Sequence, residues 1–259
     1  MELVLHFHEL VPLVPEKWGI GARIRPGLGY LFGAHVRRNT PKRMYLSRRE
    51  APRTPTPKYH PPPKYYLMLL FLDTETTGLP KYSATTATEK WPRVVQLAWS
   101  LYDTEGNRES RNSFIIYPTD FSIPMDSARI HGITTERAKT EGVSLHKVLP
   151  QLNADVEKAT TVIAHNVEFD LPIVHTEFVR CRLETNLLKK QTACTMKPRE
   201  IVSWCKIPKK SGYGFKWPTL AELHLQLFEE EFTGSHDAGA DVEACAKCYF
   251  ELRKRGIIG

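Results

Sequence analysis

The stretch Leu67-Met68-Leu69-Leu70-Phe71-Leu72-Asp73-Thr74-Glu75-Thr76-Thr77-Gly78 decides how this chain folds. Its six apolar residues in a row suit a central strand buried on both faces, and the run ends in Asp73. Side chains two apart on a strand leave the same face, so Asp73 and Glu75 point the same way. Two adjacent carboxylates are costly to hold together unless a cation neutralises them, and hard oxygen donors suit Mg²⁺ or Mn²⁺. An isolated Asp-x-Glu usually means only a solvated strand end. Here the acids close an apolar strand and precede Thr76-Thr77-Gly78, a turn that offers backbone N–H groups.

Outward from this strand, Val94–Tyr102 and Ser113–Tyr117 read as a hairpin around the turn signal Thr104-Glu105-Gly106-Asn107. Val143–Lys158 has helical spacing, and Thr161–Ala164 is a short β-branched strand. Asn166–Leu183 reads as a helix that tolerates Pro172 in its first turns. Residues 191–195 suit a fifth strand, and Thr219–Leu227 and Ala238–Arg255 suit helices. Three strands followed by alternating helices and strands predict an α/β domain with a central mixed five-stranded sheet flanked by helices.

Two further blocks carry chemistry. In Ala164-His165-Asn166-Val167-Glu168-Phe169-Asp170, Asn166 and Asp170 share a helix face just after a strand, where sites gather in open α/β sheets. Taken alone, Asn166 reads equally well as an N-cap and Asp170 as a first-turn acid favoured by the helix dipole. His165 and Glu168 lie off that face and read as structural or solvent-facing. In His236-Asp237-Ala238-Gly239-Ala240-Asp241, Asp237 reads as an N-cap or first-turn residue and not as a ligand, and Asp241 sits on the packed side of a helix, where an acid needs a partner. A single loop histidine is commonly without function, yet an ordinary imidazole with a pKa near ~6.5 can take a proton at neutral pH.

In order and context, the three blocks resemble the DEDD (DnaQ-like) 3′→5′ exonuclease superfamily, histidine subclass, closest in flavour to proofreading exonucleases. Ile130-His131-Gly132-Ile133-Thr134 resembles that family's segment between the first two motifs. The resemblance covers roughly residues 67–256 and implies a ribonuclease H-like fold. It implies that Asp73 bridges two divalent cations, that Glu75 and Asp241 complete the tighter site, and that Asp170 supports the second. It further implies that His236 deprotonates the attacking water, that Thr76 and Thr77 lie close to the terminal nucleotide, and that Asn166 and Phe169 shape its pocket. Phosphodiester hydrolysis needs a nucleophilic water and a stabilised leaving oxygen, and a two-cation site serves both ends of an in-line displacement. The expected activity is release of nucleoside monophosphates from a 3′ end. Single-stranded DNA is the preferred substrate, in proofreading, repair or end trimming. RNA 3′-end trimming on the same scaffold is the near alternative, and a non-catalytic nucleic-acid-binding module the distant one.

Charge does not carry this reading. The net charge is +7, but residues 1–66 hold 12 of the 36 basic and 4 of the 29 acidic residues, leaving 24 against 25 in the remainder. Ten of the 19 prolines also fall in 1–66, which reads as a basic, proline-rich, extended or disordered extension to a 67–259 domain. It suits a nucleic-acid arm, a tether to a polymerase or other replication partner, or a targeting leader; the commoner case is a segment with no essential catalytic role, and Met68 stands where a second start could fall. Within the domain, residues 180–216 gather ten Lys/Arg against Glu184 and Glu200, with Trp204, Tyr213 and Phe215 among them and Trp217 just beyond. Such a stretch either binds nucleic acid or is a lysine-rich loop with its aromatics packed beneath it. The latter is the commoner case.

Five cysteines, an odd and sparse set, point to free thiols in a reducing compartment. Cys245-Ala246-Lys247-Cys248 lacks a second ligand pair at zinc-site spacing. No apolar run approaches the ~20 residues of a membrane span, and the acidic N-terminus does not resemble a secretory signal. The expectation is an intracellular, cytoplasmic protein without membrane contact, with organelle targeting by the basic segment as the alternative.

Overall fold

A computed structural model describes residues 67–80 and 88–259. The expectations for residues 1–66, including the polymerase tether, lie outside the described residues. Five strands form one sheet: β1 (Leu69–Thr76), β2 (Val94–Tyr102), β3 (Arg108–Ile115), β4 (Thr161–Ala164) and β5 (Gln191–Cys194). Their spatial order is β3-β2-β1-β4-β5. The first three pair antiparallel, and β4 and β5 run parallel to β1, so the sheet is mixed. Helices α1 (Met125–His131), α2 (Thr135–Glu141) and α3 (Leu145–Lys158) lie between β3 and β4, α4 (Val167–Arg180) joins β4 to β5, and α5 (Arg199–Cys205), α6 (Leu220–Phe228) and α7 (Ala238–Lys254) follow.

Strand parity divides the core. Leu70 and Leu72 of β1 join Leu97, Trp99 and Leu101 of β2 on one face, against Leu149, Leu152 and Val156 of α3 and Ile173, Val174 and Phe178 of α4. Leu69 and Phe71 face the other way, against Leu223 of α6 and Val242, Cys245 and Tyr249 of α7. Cys245 and Cys248 are therefore core residues, and burial pushes the Cys248 thiol up to about 12. Among the described residues no helix is long and apolar enough to cross a membrane.

Two strands differ from their expected bounds for physical reasons. β1 runs on through the acids to Thr76, because β2 continues to pair with it as far as Thr76 opposite Val94. β3 starts earlier than its apolar residues suggest, because among the described residues it is an edge strand paired only with β2, and its polar residues Arg108 to Asn112 are tolerated in the ladder. The turn before it is closed by Asp103, whose backbone and carboxylate accept from the N–H groups of Gly106 and Asn107, with Gly106 at φ 90°.

Under β2, Asp155 of α3 is buried and accepts from Trp99 Nε1 at 3.0 Å and Ser110 Oγ at 2.8 Å, while Lys158 Nζ reaches its other oxygen at 3.0 Å. Burial raises this carboxyl, but those hydrogen bonds outweigh it and hold the group below its usual value. Removing the acceptor strands a fully buried indole N–H, a loss of roughly 1–3 kcal/mol. Asp155→Ala is expected to lower unfolding stability by that amount in urea denaturation, with the m-value unchanged. A change below about 0.5 kcal/mol would show that this contact does not hold α3 to the sheet.

Candidate active site

β4 pairs with β1 only from Leu69 to Phe71, so beyond that point one edge of β1 is open. Asp170, in the first turn of α4, fills the gap: its Oδ1 accepts from the Thr74 N–H at 3.1 Å and from Thr74 Oγ1 at 2.7 Å. Asp73 and Glu75 leave the opposite face, in line with Leu69 and Phe71, and meet Asp241 from the first turn of α7. One carboxylate oxygen from each of Asp73, Glu75 and Asp241 lies within 4.8 Å of the others. Asp170 stands beside this trio, near enough for its charge to act on Asp73 and Glu75.

These acids repel one another in partial burial. Burial, then the charges of Asp170, Asp241 and Glu75, raise Asp73 well above the ordinary carboxylate range. Glu75 is pushed to about 7 by burial and by Asp241 and Asp170. Asp170 also rises to about 7, because burial outweighs the Thr74 hydrogen bonds that oppose it. Asp241 reaches about 6, with burial partly offset by the His236 N–H. Oxygen-only donors that repel one another when ionised are relieved by a hard divalent cation, which neutralises them.

α7 is held in place by its cap. Asp237 Oδ1 accepts from the Ala240 N–H at 3.0 Å, and its Oδ2 accepts from Gln96 Nε2 of β2 at 2.9 Å. Gln96 Oε1 in turn accepts from the Ala238 N–H at 3.2 Å. Gly239 allows this close approach, since a Cβ there would stand 3.1 Å from Ser113 Oγ of β3. Just ahead, His236 sits exposed on a turn at φ 70°, its N–H donating to Asp241 Oδ2 at 3.0 Å.

A cleft of about 380 Å³ opens over the acids, lined by Asp73, Glu75, Asp170, Asp241, His236 and Phe169, with Thr219 to Ala221 on the far wall. Thr76, Thr77 and Asn166 are not in its lining. The Thr76 hydroxyl bonds to the backbone of Gly78, and the Thr77 hydroxyl accepts from the Arg93 N–H. Asn166 does not share the helix face of Asp170. It precedes α4 in the left-handed region at φ 87°, makes no side-chain cap, and keeps a buried Oδ1 without a partner. The turn from β4 into α4 forces this conformation, and Asn is among the few non-glycine residues that accept it.

His165, which the sequence marks as structural or solvent-facing, is structural and also faces the cleft. It lines the wall with both ring nitrogens engaged, Nδ1 at 2.9 Å from Thr195 Oγ1 and Nε2 at 3.1 Å from the Pro218 carbonyl. Burial lowers its pKa to about 4, so it stays neutral and braces the loop before α6. Its place immediately after a strand was the one available signal.

The sequence model of the family described as Exonuclease matches residues 70–249. The chain belongs to this family, the DEDD (DnaQ-like) exonucleases. No curated protein sequence matches it. Its fold is similar to that of E. coli exonuclease I. The complex of that enzyme with a dA16 oligonucleotide gives a TM-score of 0.58 and its complex with a dT13 oligonucleotide 0.59, both at 20% identity. The zinc-bound form of its complex with single-stranded DNA gives 0.58. In each case 73% of this chain is covered but only 41% of the E. coli chain, so the match spans well under half the length of those proteins. At such identity the likeness is one of fold, the ribonuclease H-like arrangement.

The raised acids set a pH dependence for the stability of this chain. Without a cation, the folded state keeps protons that the unfolded chain sheds near pH ~4, so stability falls as pH rises from about 4 to about 7. Thermal denaturation in EDTA is expected to show this decline, and excess Mg²⁺ to remove it. Asp73→Asn relieves the repulsion, so it should stabilise the metal-free protein by about 1–2 kcal/mol near pH ~8 and abolish the Mg²⁺-dependent rise in Tm. A Tm that climbs with pH in EDTA would contradict the reading.

Proposed function

We propose that this protein is a metal-dependent 3′→5′ exonuclease of the histidine subclass, acting on single-stranded DNA and releasing nucleoside 5′-monophosphates. The observation that carries the reading is the convergence of Asp73, Glu75, Asp241, Asp170 and His236 around one cleft. Asp73, Glu75 and Asp241 are the residues to hold a first divalent cation, Mg²⁺ or Mn²⁺, and Asp170 with Asp73 a second. Bound there, such cations supply positive charge to the scissile phosphate and to the leaving oxygen.

The chain's own residues do the rest. His236, exposed on its turn at the mouth of the cleft, accepts the proton of the attacking water at its imidazole. The Asp241 carboxylate anchors the His236 backbone, so the base and the acid cluster move as a unit. Phe169 offers a ring in the cleft wall against which the terminal base can stack. Thr76, Thr77 and Asn166 act from behind that wall, fixing the backbone on which the acids and Phe169 ride. A proofreading or repair setting, shared with a polymerase, is the context that suits such an activity.

Single-stranded DNA labelled at either end, incubated with Mg²⁺, Mn²⁺ or EDTA, tests the reading, with RNA in parallel to read the sugar preference. Mononucleotides are expected to appear first from the 3′ label, only with metal, and not at all with Asp73→Ala or Asp241→Ala. His236→Ala is expected to lower kcat by about 10²–10⁴-fold with little change in KM. Cleavage in EDTA, or degradation from the 5′ end, would overturn the mechanism.

A further inference from the structure

Residues 206–217 form a small hairpin beside the cleft. Pro208 and Phe215 bridge across it, the Lys209 N–H donates to the Gly214 carbonyl at 3.1 Å, and the Lys216 N–H donates to the Ile207 carbonyl at 2.8 Å. Gly212 and Gly214, at φ 79° and 74°, take the left-handed turns that its tip requires. If this were merely a solvated loop lying over its aromatics, the rings would be covered. Trp204 does behave so, packing against the core with Arg255 over its ring. Tyr213, Phe215 and Trp217 do not: they are 87%, 43% and 56% exposed. Lys206, Lys209 and Lys210 are exposed beside them and make no ion pair among the described residues.

The base of the hairpin is fixed to the active site. Lys216 Nζ pairs with Glu222 at 2.6 Å, and Glu222 also closes the capping box of α6 with Thr219. Thr219, Leu220 and Ala221 line the cleft, and the Pro218 carbonyl meets His165 Nε2. On the other side Lys197 lies over the Trp217 ring at 5.3 Å and pairs with Glu168, two residues before Asp170. Exposed lysines and exposed rings thus continue outward from the lip of the cleft.

We propose that this hairpin is the binding site for the unpaired nucleic-acid strand upstream of the 3′ end. Tyr213, Phe215 and Trp217 stack on successive bases, and Lys206, Lys209 and Lys210 contact phosphates. Stacking rings and point charges read no sequence, so the strand is held independently of its bases. The inference rests on the exonuclease reading, and the test separates the two.

In the full chain, binding of fluorescent dT20 and rU20 is measured by anisotropy in EDTA. Hydrolysis of dT20 and of the p-nitrophenyl ester of thymidine 5′-monophosphate, too short to reach the hairpin, is measured with Mn²⁺. Tyr213→Ala removes an 87% exposed ring with no packing role, and should weaken strand binding about 5- to 100-fold. The double variant Lys209→Gln/Lys210→Gln should reduce the slope of log K against log salt by about 1.4. Both variants should raise KM for dT20 and leave ester hydrolysis at the wild-type rate. Wild-type affinity in both variants, as an acidic protein partner for this surface would give, overturns the site, and so does equal loss on the ester. A wild-type chain that cuts neither substrate sinks the exonuclease reading alone, because anisotropy still reads the hairpin. Comparison of dT20 with rU20 shows which strand it prefers.

Discussion

Alternation along β1 is the constraint on which the rest depends. A strand must send side chains two apart to the same face, so the face that carries Leu69 and Phe71 into the core must also carry Asp73 and Glu75. The apolar pair anchors that face against α6 and α7. The acidic pair then has to meet whatever the first turn of α7 presents, which is Asp241. The opposite parity, Leu70 and Leu72, packs on α3 and α4 and brings Asp170 to the strand's free edge. Core and site are therefore one pattern read at two points along the same strand.

This arrangement trades stability for readiness. Four carboxylates with raised proton affinity are a cost that an apolar cluster would not carry, and the surroundings offset it only in part. The Thr74 N–H and hydroxyl support Asp170, and the His236 N–H supports Asp241, but among the described residues Asp73 gains no such donor. The firm contacts lie one step away, in the Asp237–Gln96 pair that fixes α7 and in His165, neutral between Thr195 and Pro218. A rigid frame around an unsatisfied centre is what a cation-binding site needs, since its geometry then exists before the cation arrives.

Much of this was legible in the sequence, and what was not has physical reasons. The buried strands and the long helices α3, α4 and α7 announced themselves by continuous or periodic apolar residues. α1, α2 and α5 did not, because each has only seven residues and buries little; α2 buries Ala138 alone. The acids were visible because their clustering is local. Their supports were invisible because they are not: Thr74 to Asp170 spans 96 positions, Gln96 to Asp237 spans 141, and His165 to Pro218 spans 53. The basic aromatic stretch was ambiguous, since composition cannot tell a ring packed beneath a loop from one facing water. The fold separates Trp204 from Tyr213, Phe215 and Trp217.

The brevity of β4 gives the sheet an unusual economy. It has four residues, pairs with β1 only to Phe71, and leaves the last residues of its eight-residue neighbour without a strand partner on that side, where Asp170 binds Thr74 instead. The end of the pairing acts as a built-in ruler. The acid-lined cleft begins where β4 stops pairing with β1, at Phe71, a point fixed by the ladder of hydrogen bonds. Asp73 and Glu75, on one strand, and Asp170, bonded to Thr74 of that strand, keep their places relative to one another whatever the surrounding loops carry.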